Sequence, residues 1–162
     1  MPVWLGAFLI ALVVGSLTEY WGHRAMHSFL LKKKHVLHHK EGGAQGWLWE
    51  FIDYVVGGCF LLPAGFLHSV EAGFAFAGGA LSYTAFAAYS HQLQHERPEL
   101  CFWLVRPIHQ IHHHEQMWRH NFGIGLDIWD RVFGTYRKGK WDKAPVVAKD
   151  RRLRRYFQIK WV

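Results

Sequence analysis

The sequence predicts an all-α integral membrane protein, a bundle of about three transmembrane helices with a cytosolic helical cap that carries a histidine-rich site for two metal ions. Three observations predict this class. Uncharged apolar segments alternate with polar ones, thirteen histidines are concentrated mainly in the polar segments, and lysines and arginines flank the apolar segments. A length of 162 residues fits one domain, so we expect residues 1–162 to form a single unit.

The first apolar segment, residues 1–18, contains no charged side chain and is long enough for one bilayer crossing. A cleaved signal peptide is the alternative. The segment lacks the basic start of a signal peptide and leads directly into Glu19 and the first histidines. We therefore predict a membrane helix that is retained.

Two further segments, residues 54–70 and 72–95, contain no Asp, Glu, Lys or Arg and are expected to cross the membrane as a hairpin. Their connection also lacks Lys and Arg, which places it on the non-cytoplasmic side. Residues 47–53 are expected to lie at the membrane interface. Three crossings, or one crossing followed by a re-entrant pair, bring both histidine-rich stretches to the cytoplasmic face.

The formal net charge of +7 comes from basic residues beside the apolar segments, mainly in residues 32–40 and 131–160. This is the positive-inside distribution of a membrane protein, and no nucleic-acid-binding motif is present, so we expect no nucleic-acid partner. The basic tail, residues 138–162, is expected either to lie on anionic headgroups or to be solvated. Cys59 and Cys101 lie in apolar contexts without a C-x2-C motif, which excludes a thiolate metal site.

Ten histidines form four short motifs, H-x3-H followed by H-x2-H-H, and this pair of motifs occurs twice. On a helix, positions i and i+4 lie about 40° apart, and i+3 lies about 60° to the other side, so each motif presents its imidazoles from one face. Neutral imidazole is the commonest nitrogen ligand of iron, zinc and copper. Ten imidazoles presented in this way suit a pair of metal ions.

The order of these motifs resembles that of the fatty acid hydroxylase superfamily, also called the sterol desaturase family. The stretch WDRVFGT, residues 129–135, is similar to that family's C-terminal motif, and the resemblance covers roughly residues 19–137. It implies a membrane-embedded enzyme that uses O2 and external electrons to hydroxylate or desaturate a fatty acyl, sterol-like or other isoprenoid lipid. By motif match, the implied metal ligands are His23, His27, His35, His38, His39, His91, His95, His109, His112 and His113.

The resemblance also implies the cofactors and partners. We expect two iron ions as the native metals, although zinc competes well for imidazole sites in purified protein. The chain carries no flavin or nicotinamide fingerprint, since the pair Gly123-x-Gly125 lacks a third glycine and a preceding strand. Electrons are therefore expected from a partner, such as a ferredoxin or a cytochrome b5-type protein with its reductase.

Several other polar residues are candidates for the surroundings of the metals. His114 directly follows the last motif and points about 140° away from His109 on a helix, and an exchange of roles with His113 stays open. His120 faces either the site or the surface. Carboxylates near the motifs either orient the histidines or pair with arginines; for Asp130 we expect a structural role at the FGT turn, and for His68 a structural role in the hairpin. The candidates for this outer layer or for the substrate side are His114, His120, Asn121 and Asp130, and the further acidic candidates are Glu19, Glu96, Glu115 and Asp127.

Two alternatives stay open. The compact size also resembles bacterial carotenoid ring hydroxylases, which share related histidine motifs but typically space the first pair one residue wider. The second alternative is a non-catalytic membrane metal-binding protein, such as a zinc transporter or sensor. Transporters place ionisable ligands at mid-membrane, whereas most of the histidines here lie at or beyond the ends of the apolar segments.

Overall fold

The computed structural model describes residues 1–28, 32–41 and 43–141, and within these residues it contains helices and no β-strand. The predicted all-helical class is therefore confirmed for the described part of the chain. Most of the basic tail predicted for residues 138–162 lies outside the described residues. The helices are α1 (Val3–Ser28), α2 (Lys32–Glu41), α3 (Trp47–Gly58) with its 3-10 continuation (Cys59–Leu67), α4 (Val70–Glu96), a short 3-10 helix (Pro98–Leu100), α5 (Ile108–His114) and α6 (Ile128–Val132).

Two segments are long and apolar enough to cross a membrane, Val3–Ser28 and Trp47–Leu67. The second begins earlier than expected. Helix α3 starts at Trp47, directly after Gly46 with φ 103°, and runs on into the apolar 3-10 helix, so residues 47–53, expected at the membrane interface, form its first turns. Large apolar side chains such as Ile10, Val13 and Val56 are exposed on these segments. The chain is a membrane protein built of helices.

Helix α4 contains the third predicted crossing, residues 72–95, and its 27 residues are about 40 Å long. The Ser69 side chain accepts a hydrogen bond from the backbone N–H of Ala72 and caps its start. Its last turns are polar and buried, with Ser90, Gln92 and Gln94 beside the histidines. Helix α4 is thus apolar at its start, and its last turns contribute His91 and His95 to the histidine site.

Helices α1 and α4 run parallel, and glycines allow their backbones to approach closely. A Cβ atom on Gly79 would lie 2.5 Å from the carbonyl oxygen of Phe8, and one on Gly15 would lie 3.0 Å from the ring of Tyr83. The contact of Phe8 with Gly79 is followed by that of Gly15 with Tyr83, so residue numbers rise in the same direction on both helices and the pair is parallel. The C-terminal histidines of α1 and α4 therefore reach the same end of the bundle.

Candidate metal centre

Five histidines from three helices form the first group, in which one ligand nitrogen of each ring lies within 4.8 Å of all the others. Helices α1, α2 and α5 contribute its members, which are His23, His27, His35, His39 and His112. All but His27 are buried. His23 with His27 and His35 with His39 are each four residues apart, so each pair projects from one face of its helix into this group.

Hydrogen bonds set the tautomers of two rings in this group. His23 Nδ1 donates to the carbonyl oxygen of Phe122 at 2.6 Å, and His112 Nδ1 donates to the carbonyl oxygen of His120 at 2.6 Å. A neutral imidazole that donates from Nδ1 carries a lone pair on Nε2. Both Nε2 atoms point to the centre of the group, where a cation relieves the repulsion between converging lone pairs.

The spacing of the Nε2 atoms fits one shared metal ion. Six Nε2–Nε2 pairs in the first group are separated by 2.9 to 3.2 Å. Two nitrogens bound to one metal at about 2.1 Å are about 3.0 Å apart at a right angle and about 3.4 Å apart at the tetrahedral angle. The observed distances are therefore short enough for these nitrogens to share one metal ion.

A second group contains four histidines, one from α2, two from α4 and one from α5. They are His38, His91, His95 and His109, again with ligand nitrogens within 4.8 Å of one another. The Nε2 atoms of His38 and His91 are 3.3 Å apart. Both ring nitrogens of His109 are buried without a hydrogen-bond partner among the described residues. A buried imidazole in this state fits a metal ligand.

Glu50 on α3 lies beside the second group and was missed by the sequence reasoning. Its Oε1 lies 3.1 Å from Nδ1 of His91, and both side chains are less than a tenth exposed. A carboxylate close to one ring nitrogen favours the ring orientation in which the other nitrogen faces a metal. The available signal was a carboxylate flanked by Trp, Leu and Phe in WLWEF, but 41 residues separate it from His91.

The tenth predicted ligand, His113, lies between the two groups. Its ring stacks on His39 with 3.9 Å between centroids, and the centroids of His38, His95 and His109 are each 4.6 Å away. Neither of its ring nitrogens has a hydrogen-bond partner in the described part of the chain. Its place beside both groups leaves it within reach of either.

Burial keeps His38, His39, His109, His112 and His113 neutral. It lowers the pKa of His38 and His39 to about 4 and that of His112 to about 3. Burial and the neighbouring imidazoles hold the pKa of His109 and His113 well below the usual range. At pH 7 these rings are in the neutral form that binds metals.

Asp130 holds the backbone segment on which His23 rests. Its carboxylate accepts from the N–H groups of Phe122 at 2.8 Å and Gly123 at 2.7 Å, and from the hydroxyl of Thr135 at 2.7 Å. Burial raises its pKa, and these three donors oppose the rise. The carboxylate thereby positions the Phe122 carbonyl, which accepts the hydrogen bond from His23 Nδ1.

Two further side chains fix the same loop. Glu19 accepts from the N–H groups of Ile124 at 2.6 Å and Gly125 at 3.0 Å, and from the hydroxyl of Tyr83 at 2.8 Å. Gln94 donates to the Ile124 carbonyl at 2.6 Å and accepts from the N–H of His109 at 2.9 Å. Glu19 therefore connects α1 and α4 to this loop, and Gln94 connects α4 to both the loop and α5.

The remaining candidates lie farther from the histidine rings. His114 is exposed on α5, and His68 is exposed before α4. His120 contributes its backbone carbonyl, and Asn121, with φ 60°, exchanges two hydrogen bonds with the backbone of Arg137. Glu96 is exposed; the other acidic candidates pair elsewhere: Glu115 accepts from Lys140 N–H and Asp127 pairs with Arg131.

A cavity of about 640 Å³ lies between α1, α3 and α4 and reaches the histidines. Most of its lining is apolar, including Val56, Leu62 and Phe76. His23, His35, His38, His91 and His109 line its other end. The volume lies in the range of small-molecule sites, and the arrangement can hold an apolar chain against the candidate metal centre.

Comparison with known proteins agrees with this arrangement. Residues 8–135 match the sequence model of the family described as Fatty acid hydroxylase. Fatty acid 2-hydroxylase of Rattus norvegicus is 26% identical over 148 residues, which cover 82% of this chain and 40% of the relative. The chain thus spans less than half the length of that relative. No solved structure gives a significant match. With four-fifths of its length matched by the family model, the chain belongs to the fatty acid hydroxylase family.

Proposed function

We propose that the protein is a membrane-bound non-haem dimetal oxygenase that hydroxylates or desaturates a lipid with O2 and external electrons. The observation that carries this proposal is the meeting of two inward-facing histidine groups with one apolar cavity. Side chains alone supply no oxidant strong enough for an unactivated C–H bond. Family membership supports the same reaction class.

We propose that the first histidine group holds one metal ion and the second holds the other, with His113 available to either. Iron is the expected native metal, and zinc is expected to compete in purified protein. Two bound irons supply the capacity to activate O2. The ten proposed ligands are His23, His27, His35, His38, His39, His91, His95, His109, His112 and His113.

The chain's own contribution is to bind, orient and shield the substrate. The apolar walls around Val56, Leu62 and Phe76 exclude water from the lipid chain and hold it lengthwise. The polar lining is near the histidines and includes Glu50 and Tyr83. The proposed substrate is a fatty acyl lipid whose polar end lies at the histidines, so the oxidised carbon is close to that end. The rat relative's name, a fatty acid 2-hydroxylase, supports this choice.

We propose that α1, α3 with its 3-10 continuation, and α4 are the three membrane-crossing elements of one domain. The cap formed by α2, α5 and α6 then lies on the cytoplasmic side. The distribution of Lys and Arg supports this orientation.

The electron donor is proposed to dock on the basic face around Trp118. Arg119, Arg137, Lys138 and Lys140 are exposed there, and Trp118 stacks on His39 with 5.0 Å between ring centroids. A ferredoxin or cytochrome b5-type protein with an acidic surface complements this charge.

The test is product formation in vesicles. The iron-loaded protein, a reductase and its ferredoxin or cytochrome b5 are incubated with fatty acids or ceramides under ¹⁸O2, and the lipids are analysed by mass spectrometry. We expect one ¹⁸O atom in a hydroxylated lipid, loss of product in His95→Ala, and full product in His114→Ala. Recovery of lipid with neither an ¹⁸O-labelled hydroxyl group nor a new double bond, from a protein that retains two irons, contradicts the proposal.

A further inference from the structure

Two apolar patches are exposed on the part of the chain that follows α4. In loop 100–105, Phe102 is 91% exposed and Val105 is 85% exposed. On α6, Ile128 is 51% exposed and Val132 is 62% exposed. Contiguous exposed apolar surface marks a contact with a membrane or another macromolecule.

Loop 100–105 folds back along the apolar half of α4. Trp103 contacts Phe86 and Tyr89, with ring centroids 5.3 and 6.5 Å away, and its Nε1 donates to the carbonyl oxygen of Gly125 at 3.0 Å. Phe86 precedes His91 by five residues, or about 8 Å along the helix axis. Trp103 therefore lies on the apolar side of the second histidine group, and Cys101 and Leu104 continue the loop along α4 to Leu93, between His91 and His95.

Helix α6 folds back along α1 in the same way. Trp129 Nε1 donates to the hydroxyl of Ser16 at 2.9 Å, and Phe133 contacts Trp21 with 5.3 Å between centroids. Ser16 precedes His23 by seven residues, or about 10 Å along the axis. The α6 patch thus lies on the apolar side of the first histidine group.

Both patches lie at the same level of the bundle. Gly15 on α1 is in close contact with Tyr83 on α4, so the levels of Ser16 and Phe86 nearly coincide in this parallel pair. On α1 just before this level, Val13 is 55% exposed on a segment that is apolar enough to span a membrane. Along the bundle axis, the two patches therefore directly follow the exposed apolar surface of α1.

We propose that loop 100–105 and α6 insert into the interfacial layer of the bilayer and hold the histidine site at headgroup depth. Trp21, Trp103 and Trp129 all lie near this level, which is the usual position of an aromatic belt at a membrane surface. Lipid then reaches the cavity from within the bilayer. The proposal depends on membrane insertion of α1 and is independent of the proposed reaction.

The test is site-directed spin labelling in phosphatidylcholine vesicles. In a Cys59→Ser, Cys101→Ala background, single Phe102→Cys, Val105→Cys, Ile128→Cys and Val132→Cys variants are labelled, and collisions with O2 and with a water-soluble nickel chelate are compared. His114→Cys and Lys138→Cys, at exposed positions of the cap, are the matched controls. We expect the four patch labels to favour O2 and the two control labels to favour nickel.

Nickel accessibility at the patch positions equal to that of the controls overturns the proposal. Photolabelling of the unsubstituted protein tests the same proposal if the spin-labelled variants misfold. A lipid-soluble diazirine is photoactivated in the same vesicles, and the modified residues are mapped by mass spectrometry. We expect modification of loop 100–105 and α6. Modification confined to α1 and to the Trp47–Leu67 segment also overturns the proposal.

Discussion

Removing the Glu50 carboxylate should weaken metal binding at one histidine group and leave the other unchanged. The carboxylate oxygen lies 3.1 Å from His91 Nδ1, and both side chains are less than a tenth exposed. Carboxylates beside metal-binding histidines typically change metal affinity by about 10- to 100-fold, and each factor of ten corresponds to about 1.4 kcal/mol. We expect that loss in Glu50→Ala and a smaller loss in Glu50→Gln, which keeps an acceptor.

The assay is a titration of the metal-free protein with Co²⁺, followed by visible absorption, from which two dissociation constants are obtained. Glu50→Ala should raise one constant and leave the other at its wild-type value. Asp53→Ala is the matched control, since Asp53 lies one turn farther on α3 and is exposed. Two unchanged constants in Glu50→Ala, in a protein with wild-type helicity, refute the role assigned to Glu50.

Three further predictions concern stability, measured by thermal unfolding in detergent. Asp130→Ala leaves three buried donors without their acceptor at about 1 to 3 kcal/mol each, so it should unfold far below wild type, whereas Asp127→Ala should change stability by less than about 1 kcal/mol; equal melting temperatures contradict this. Gly79→Ala places a Cβ atom 2.5 Å from the Phe8 carbonyl oxygen and should destabilise the α1–α4 pair, whereas Gly78→Ala meets no atom within 4 Å and should be neutral or slightly stabilising. The pKa of His38, His39 and His112 is lowered in the folded state, so below pH 6.5, the ordinary pKa of histidine, the unfolded chain binds more protons than the folded chain. The metal-free protein should therefore lose stability as the pH falls from 6.5 toward 4; a flat profile contradicts neutral buried rings.

The helical parts of this site are predictable from sequence because they depend on local spacing. H-x3-H and H-x2-H-H place imidazoles on one face of any helix that contains them, and the structure brings nine of the ten predicted histidines into two groups. The apolar segments likewise predict helices of membrane-spanning length from composition alone. The start of α3 was misplaced, because an interfacial stretch and the first turns of a longer helix have the same pattern of tryptophans and leucines.

The long-range contacts are not predictable in this way. Glu50 reaches His91 across 41 residues, and Trp129 reaches Ser16 across 113. No periodicity relates such positions, because their proximity follows from how α3 packs beside α4 and how α6 packs beside α1. The division of the histidines between two groups is also a tertiary result, since His38 and His39 are neighbours in sequence and join different groups.

Metal content per chain tests the central claim most directly. The protein is expressed with iron, purified anaerobically in detergent and analysed by mass spectrometry for all transition metals. We predict two metal ions per chain in the wild type, one in His112→Ala, one in His95→Ala, and two in the control variant His114→Ala. One ion or none in the wild type, or two ions retained in both His112→Ala and His95→Ala, contradicts the assignment of one metal to each histidine group.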